Sequence, residues 1–236
     1  MKIGNLGVRI IFAALCGPAV LYGQTPPDHA GTQLRLHLVS SLPGKHRSAP
    51  AVVWLDPMPG TPAASFVPTG HYTLLQKNRA FSPHLQVIPI GSVVQFPNDD
   101  PFFHNVFSLF NGRRFDLGLY EAGSSKSVTF SKEGVSYIFC NIHPEMSAVI
   151  ISIATQLYAV ADDKDSLVLN GIPPGDYKMN IWVEGVPQSV LDRLGRRLHL
   201  TERPMDLGDL SVPIGGNATH DDKFGHSYDQ EHKSPY

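Results

Sequence analysis

Apolar and polar residues alternate in short stretches along most of the chain, and that period of two predicts strands. Leu34, Leu36 and Leu38 fall on one face of a segment that starts near Thr32. Ala51–Leu55 is a continuous apolar run, ended by Asp56–Pro57 and Pro59–Gly60. Residues 57–70 hold four prolines and two glycines and are expected to form a loop. Further strands are expected at Tyr72–Gln76, Leu85–Ile90, Ser92–Phe96, Phe103–Phe110, Ser127–Phe130, Val135–Phe139 and Ser147–Ile153. Gly91 turns the chain between two of them, and Pro97–Pro101 makes the next loop. No sustained apolar period of about 3.6 residues competes with these strands. Short strands separated by turn residues predict an all-β Greek-key sandwich.

A second unit is expected from Gln156. Leu157–Val160 and Ser166–Leu169 flank the turn Asp162–Asp165, and Asn170–Asp176 is a stronger turn rich in Pro and Gly. Tyr177, Met179, Ile181 and Val183 then share a strand face. Arg197–Thr201 and Leu207–Val212 add strands, and Ser189–Gly195 fits a helical turn. The expected organisation is a leader at 1–24, a β-sandwich at 28–155, a smaller β-sandwich at 156–215 and a polar tail at 216–236. A unit as small as the third segment lies near the lower limit for independent stability, so it should dock on its neighbour.

Composition sharpens this picture in two places. Hydrophobic residues make up 42% of the 236 residues and charged ones only 17%, with 21 Gly and 20 Pro. That balance favours turns over long helices. The formal charge of −2 gives no reason to expect nucleic acid or an anionic membrane as partner. Lys2 and Arg9 precede the apolar run Ile10–Leu21, and the small residue Gly23 lies before polar Gln24. This is the pattern of a signal peptide, too short for a spanning helix. The protein is therefore expected to be periplasmic or secreted, with no stable membrane insertion once the leader is cleaved. Of two cysteines, Cys16 lies in that leader, so the mature chain would carry Cys140 alone. A lone thiol in an oxidising compartment is buried or bound to something.

Cys140 begins the segment Cys140–Asn141–Ile142–His143–Pro144–Glu145–Met146. Its Cys-x2-His-x2-Met spacing sets a thiolate, an imidazole and a thioether on one loop between two expected strands. His104, directly after the Pro97–Pro101 loop, offers a second imidazole. His84 is the alternative donor, but a strand follows it. Two histidines and a thiolate with a weak axial thioether form the electron-transfer copper site. Such a site leaves no open position for substrate, so an electron carrier is expected and an enzyme is not.

The stretch from about 30 to 155 resembles the cupredoxins, the family of plastocyanin, pseudoazurin and amicyanin, and the plastocyanin-like proteins called methylamine utilization proteins. The residues that carry the resemblance are Phe81–His84, Gly91–Asp100, His104–Ser108, Phe115–Gly118 and the Cys140–Met146 loop. The short ligand loop looks most like that of amicyanin. The resemblance implies one type 1 copper ion, with His104, Cys140 and His143 equatorial and Met146 axial. It also implies that Asn105 helps hold the loop near the sulfur, that the edge of His143 is the electron port, and that a redox partner protein exists. The second unit resembles the carboxypeptidase regulatory-like, or transthyretin-like, sandwich through Leu169–Tyr177 and Ile181–Trp182. Relatives often place a histidine soon after that tryptophan. Here Val183 and Glu184 follow, so no metal role carries over.

Other features have quieter readings. Asp99 and Asp100 are expected to shape the loop before His104, not to form an acid pair or calcium site. Phe102, Phe103 and Phe107 are expected to pack, and Trp54 and Trp182 to fill the core or join the units. His220, Asp221, Asp222, His226 and His232 belong to a solvated tail, and Asn217–Thr219 matches the glycosylation pattern without needing a glycan. Two rival functions use the same residues: a copper storage, delivery or sensing module, and a structural sandwich with a vestigial site. Zinc also suits Cys and His, but copper wins on affinity order.

Overall fold

The structure, a computed structural model, describes residues 31–42, 48–62, 70–109 and 112–214. The leader with Cys16, Phe110 and the histidine-bearing tail with Asn217 lie outside the described residues. Among the described residues, seventeen strands and one short helix make the expected all-β architecture. The first two strands are β1 (Thr32–Ser40) and β2 (Ala51–Pro57). Then come β3 (His71–Thr73), β4 (Leu75–Lys77), β5 (Ala80–Ser82), β6 (Leu85–Pro89) and β7 (Ser92–Pro97). β8 (His104–Ser108), β9 (Phe115–Tyr120), β10 (Ser125–Phe130), β11 (Gly134–Cys140) and β12 (Ser147–Ile153) follow. The last group is β13 (Tyr158–Val160), β14 (Ser166–Ile172), β15 (Gly175–Val183), α1 (Gln188–Leu194), β16 (Arg196–Leu200) and β17 (Met205–Val212).

The strand pairing corrects the expected boundary at 155/156. β1 lies between β14 and β17, and β2 lies between β13 and β15, with β16 beyond. The N-terminal strands therefore complete the C-terminal sandwich, and the other sandwich, residues 71–153, sits between β2 and β13 in the chain. The physical reason is plain in β1. Its alternation (Leu34, Leu36 and Leu38 buried, Arg35 exposed) fixes which face turns inward, but not which strand lies alongside. Neighbours in sequence are the usual partners; here the partners come from more than 100 positions away, as in Leu34 opposite Leu169.

The inserted sandwich faces a three-stranded sheet, β10-β7-β3, with a five-stranded sheet, β6-β12-β11-β8-β9. The five-stranded sheet is the middle layer of the molecule. On β12, Ala148 and Ile150 join Phe96, Val106 and Phe130 in one core, while Val149, Ile151 and Ile153 join Leu36, Val53, Ile181 and Trp182 in the other. Alternate residues of one strand thus feed two cores, which is why Ala148–Ile153 is buried throughout and, apart from Ser152, apolar. Each such side chain removed from water contributes about 1.5–3 kcal/mol. Two polar contacts cross the same junction: Trp182 Nε1 donates to Tyr137 Oη at 3.0 Å, and His84 Nε2 meets Glu184 Oε1 at 2.6 Å. Trp54 is half-buried against the C-terminal core.

β9 and β5 were not expected from the sequence. β9 alternates in sequence at Phe115, Leu117 and Leu119, but its interior Gly118, at φ 64°, weakens the strand signal, and its burial does not follow the alternation.

Candidate metal centre

One end of the inserted sandwich is built from three segments. The first is the Asn98–Phe103 loop. Asn98 is fully buried and acts as its clasp. Its Nδ2 donates to Phe102 O at 2.8 Å, and its Oδ1 accepts from Asp100 N at 3.1 Å. Its backbone carbonyl accepts from Gly123 N at 2.7 Å. The loop delivers His104 to the start of β8, where five consecutive residues are buried.

The second segment is the Cys140–Met146 loop. β8 and β11 pair antiparallel with Cys140 opposite Val106, which brings His104 and Cys140 to the same end. Met146 N donates to His143 O at 3.0 Å, and Cys140 N donates to Met146 O at 3.3 Å. These bonds close the loop on itself and hold His143 beside the sulfur. The third segment is the β4–β5 hairpin, whose turn residues Asn78 and Arg79 reach Asp100.

Within this frame His104 Nδ1 lies 3.6 Å from Cys140 Sγ. His143 Nδ1 lies 3.7 Å from the same sulfur. The ligand atoms of all three residues lie within 4.8 Å of one another. A metal bound at about 2.3 Å to sulfur and about 2.0–2.1 Å to nitrogen, with near-tetrahedral to trigonal angles, sets sulfur and nitrogen about 3.6–3.8 Å apart. The donor set fits one small soft or borderline ion. Both rings turn Nδ1 inward, and the rings stand edge to face with centroids 5.0 Å apart. Met146 is fully buried in the same apolar cluster as Cys140. The structure therefore places all four expected ligands at one end of the sandwich and converges three of them on a point.

Burial differs across the site. His104 and Cys140 are fully buried, whereas His143 is half-buried, leaving part of its ring toward solvent. Burial, with His104 beside it, holds His143 below the ordinary imidazole range, so its neutral, metal-competent form prevails near neutrality. Phe102 packs on both rings, with centroids 5.3 Å from His104 and 5.4 Å from His143. The Arg79 guanidinium lies over the Phe102 ring, 5.4 Å from its centre.

His84 stays outside the cluster, in keeping with its sequence reading, whereas Asn105 and Asp100 differ from theirs. His84, the alternative donor, is engaged elsewhere: Nδ1 with Ser147 O at 3.2 Å and Nε2 with Glu184. Asn105 Nδ2 donates to Asp116 Oδ1 at 2.7 Å and so ties β8 to β9. Asp100, expected only to shape its loop, has Oδ2 2.9 Å from His104 Nε2 and is almost fully buried. The sequence carried no signal for that contact beyond the four-residue spacing.

No model of a known protein family matches the chain. No curated protein matches it either. Solved structures that match part of it include a purple cupredoxin, a copper-containing nitrite reductase and amicyanin variants. The purple cupredoxin of Nitrosopumilus maritimus is 24% identical over 35% of this chain and 99% of that one, with a TM-score of 0.32. A copper-containing nitrite reductase from Thermus scotoductus is 25% identical over 42% of this chain and 25% of that one, at 0.33. A Cu(I) form of an amicyanin variant is 17% identical over 43% of this chain and 98% of that one, at 0.34. At these scores the likeness decides nothing about activity, and the side chains must do so.

Proposed function

We propose that the protein is an exported type 1 copper protein that passes single electrons through one copper ion held by His104, Cys140, His143 and Met146. The observation that carries this reading is the buried cysteine sulfur flanked by two inward-facing Nδ1 atoms at 3.6 and 3.7 Å. Bound copper would supply a one-electron Cu(II)/Cu(I) couple. The rest is the work of the chain. Cys140 would contribute a thiolate, the two imidazoles would bind in their neutral form, and the Met146 thioether would complete the donor set. Strand pairing, the Asn98 clasp and the loop-closing bonds hold these donors in place while charge changes, which keeps reorganisation small. The half-exposed ring of His143 is the path to solvent. Ile142 and Phe103, the latter expected to pack, are exposed apolar side chains on the two loops that carry these ligands and suit a transient protein partner. Among the described residues no helix is long and apolar enough to cross a membrane.

Copper titration tests the reading. Adding Cu(II) to the metal-free protein should give an intense visible absorption with one equivalent of metal, and Cys140→Ala should abolish it. Bound metal should also raise the melting temperature, by about 4 kcal/mol of added stability at a thousandfold excess over Kd. Absence of the band in the unmodified protein would remove the thiolate–copper site. Rapid electron exchange with a small redox donor separates a carrier from a copper delivery module, which would instead surrender its metal to an acceptor.

A further inference from the structure

The group behind His104 is unusual for the interior of a β-sandwich. Asp100 is buried, and its carboxylate accepts three N–H groups. Oδ1 accepts from Asn78 N at 2.6 Å, and Oδ2 accepts from Arg79 N at 3.0 Å. Oδ2 also lies 2.9 Å from His104 Nε2. Asn78 and Arg79 form the two-residue turn between β4 and β5, both with positive φ, 55° and 56°. Arginine there stands where glycine is the easy choice, and the turn aims two backbone N–H groups at one carboxylate. Backbone N–H groups can only donate, so both oxygens of Asp100 act as acceptors, and Oδ2, which takes the Arg79 N–H, meets His104 Nε2 as an acceptor too. The hydrogen between them belongs to Nε2, and Nδ1 then presents its lone pair toward Cys140 Sγ.

We propose that Asp100 is a positioning residue of the metal centre that locks His104 in its Nε2–H tautomer and sets a fixed negative charge one imidazole away from the ion. The first half stands on the hydrogen-bond geometry alone. The second half rests on the copper reading. A carboxylate behind a ligating imidazole orients the ring and makes its other nitrogen more basic. Its charge also favours the more positive oxidation state, so it lowers the reduction potential. The β4–β5 hairpin becomes part of the site through Asp100, although none of its side chains reaches the sulfur cluster as a donor.

Two measurements test the two halves separately. In the metal-free, unmodified protein, nitrogen NMR of labelled imidazoles should show His104 protonated at Nε2 and bare at Nδ1. The opposite tautomer overturns the positioning role whatever the metal does, and needs no variant to fold. In the copper-loaded protein, Asp100→Asn should shift the equilibrium with a fixed redox donor toward Cu(I) by about tenfold or more, equivalent to about 59 mV for one electron. The control is Asp99→Asn, which removes the same formal charge from the neighbouring, half-exposed side chain. It should move the equilibrium less than about twofold, because solvent screens it. Equal shifts in the two variants, or none in Asp100→Asn, overturn the charge role. If the unmodified protein forms no thiolate–copper absorption, the copper reading fails and the charge role falls with it, while the tautomer result still decides the positioning role.

Discussion

The two sandwiches are built from the same kind of strand but spend their interiors differently. The C-terminal sandwich buries side chains such as Leu34, Val53, Tyr177, Met179, Ile181 and Trp182, and keeps its His199–Asp176 pair at the surface. The inserted sandwich buries Gln76, Asn98, Asp100, His104 and Asn105, all toward one end. Burying a polar group without a partner costs about 1–3 kcal/mol on the scale of protein mutants. Asn98, Asp100 and His104 are each hydrogen-bonded, which offsets that cost, and their concentration around Cys140 sets this end apart from the rest of the fold. The middle sheet, which carries β8 and β11, packs on the C-terminal core through β12.

The sharpest way to break the comparison is to damage the C-terminal core and watch the site. Trp182 is almost fully buried and donates across the junction to Tyr137 on β11, the strand that ends in Cys140. Trp182→Ala should destabilise the protein by about 3–5 kcal/mol, the usual range for an aromatic removed from a core. Because alternate residues of β12 feed both cores, calorimetry should still show one transition, moved to lower temperature. Two separated transitions, with the inserted sandwich melting where it did before, would show that the middle sheet does not couple the halves.

A smaller effect is expected from within the inserted sandwich. Asn98→Ala removes the side-chain bonds to Phe102 O and Asp100 N. Leaving buried backbone groups unpaired should cost about 1–3 kcal/mol in chemical denaturation. The change should also broaden the copper absorption, since the Asn98 clasp carries the loop that delivers His104. A stable protein with an unaltered spectrum would place the rigidity of the loop elsewhere.

How much of this was legible in the sequence follows from distance along the chain. Cys140, His143 and Met146 sit within seven residues, so their spacing alone marked out a candidate ligand loop, and His104 stood out by following a Pro-bounded turn. The β-character of Ser147–Ile153 was equally plain. Which strands flank β1 and β2 was not legible, because an alternating pattern encodes a face and says nothing of the neighbour. Asp100 looked like a loop former because the groups that reveal its role, Asn78 N and Arg79 N, are backbone atoms about twenty residues away. Backbone donors leave no trace in residue identity.

The smallest expected effect concerns the junction's charged pair. His84 precedes β6 and Glu184 follows β15, and their side chains meet at 2.6 Å. Hydrogen bonding to Glu184 raises the His84 pKa above the ordinary 6.5, outweighing burial, which lowers it. The folded protein thus holds the His84 proton more tightly than the unfolded chain does. Its stabilising contribution is complete below the unfolded value, with the glutamate ionised, and fades as pH rises through the raised folded value. The side chains are 42% and 30% exposed, so solvent screening limits the contribution to about 0.5 kcal/mol. Glu184→Gln should therefore lower the melting temperature slightly at about pH 5.5 and leave it nearly unchanged at about pH 9. A deficit that grows with pH would mean that Glu184 acts at the junction through something other than the His84 proton.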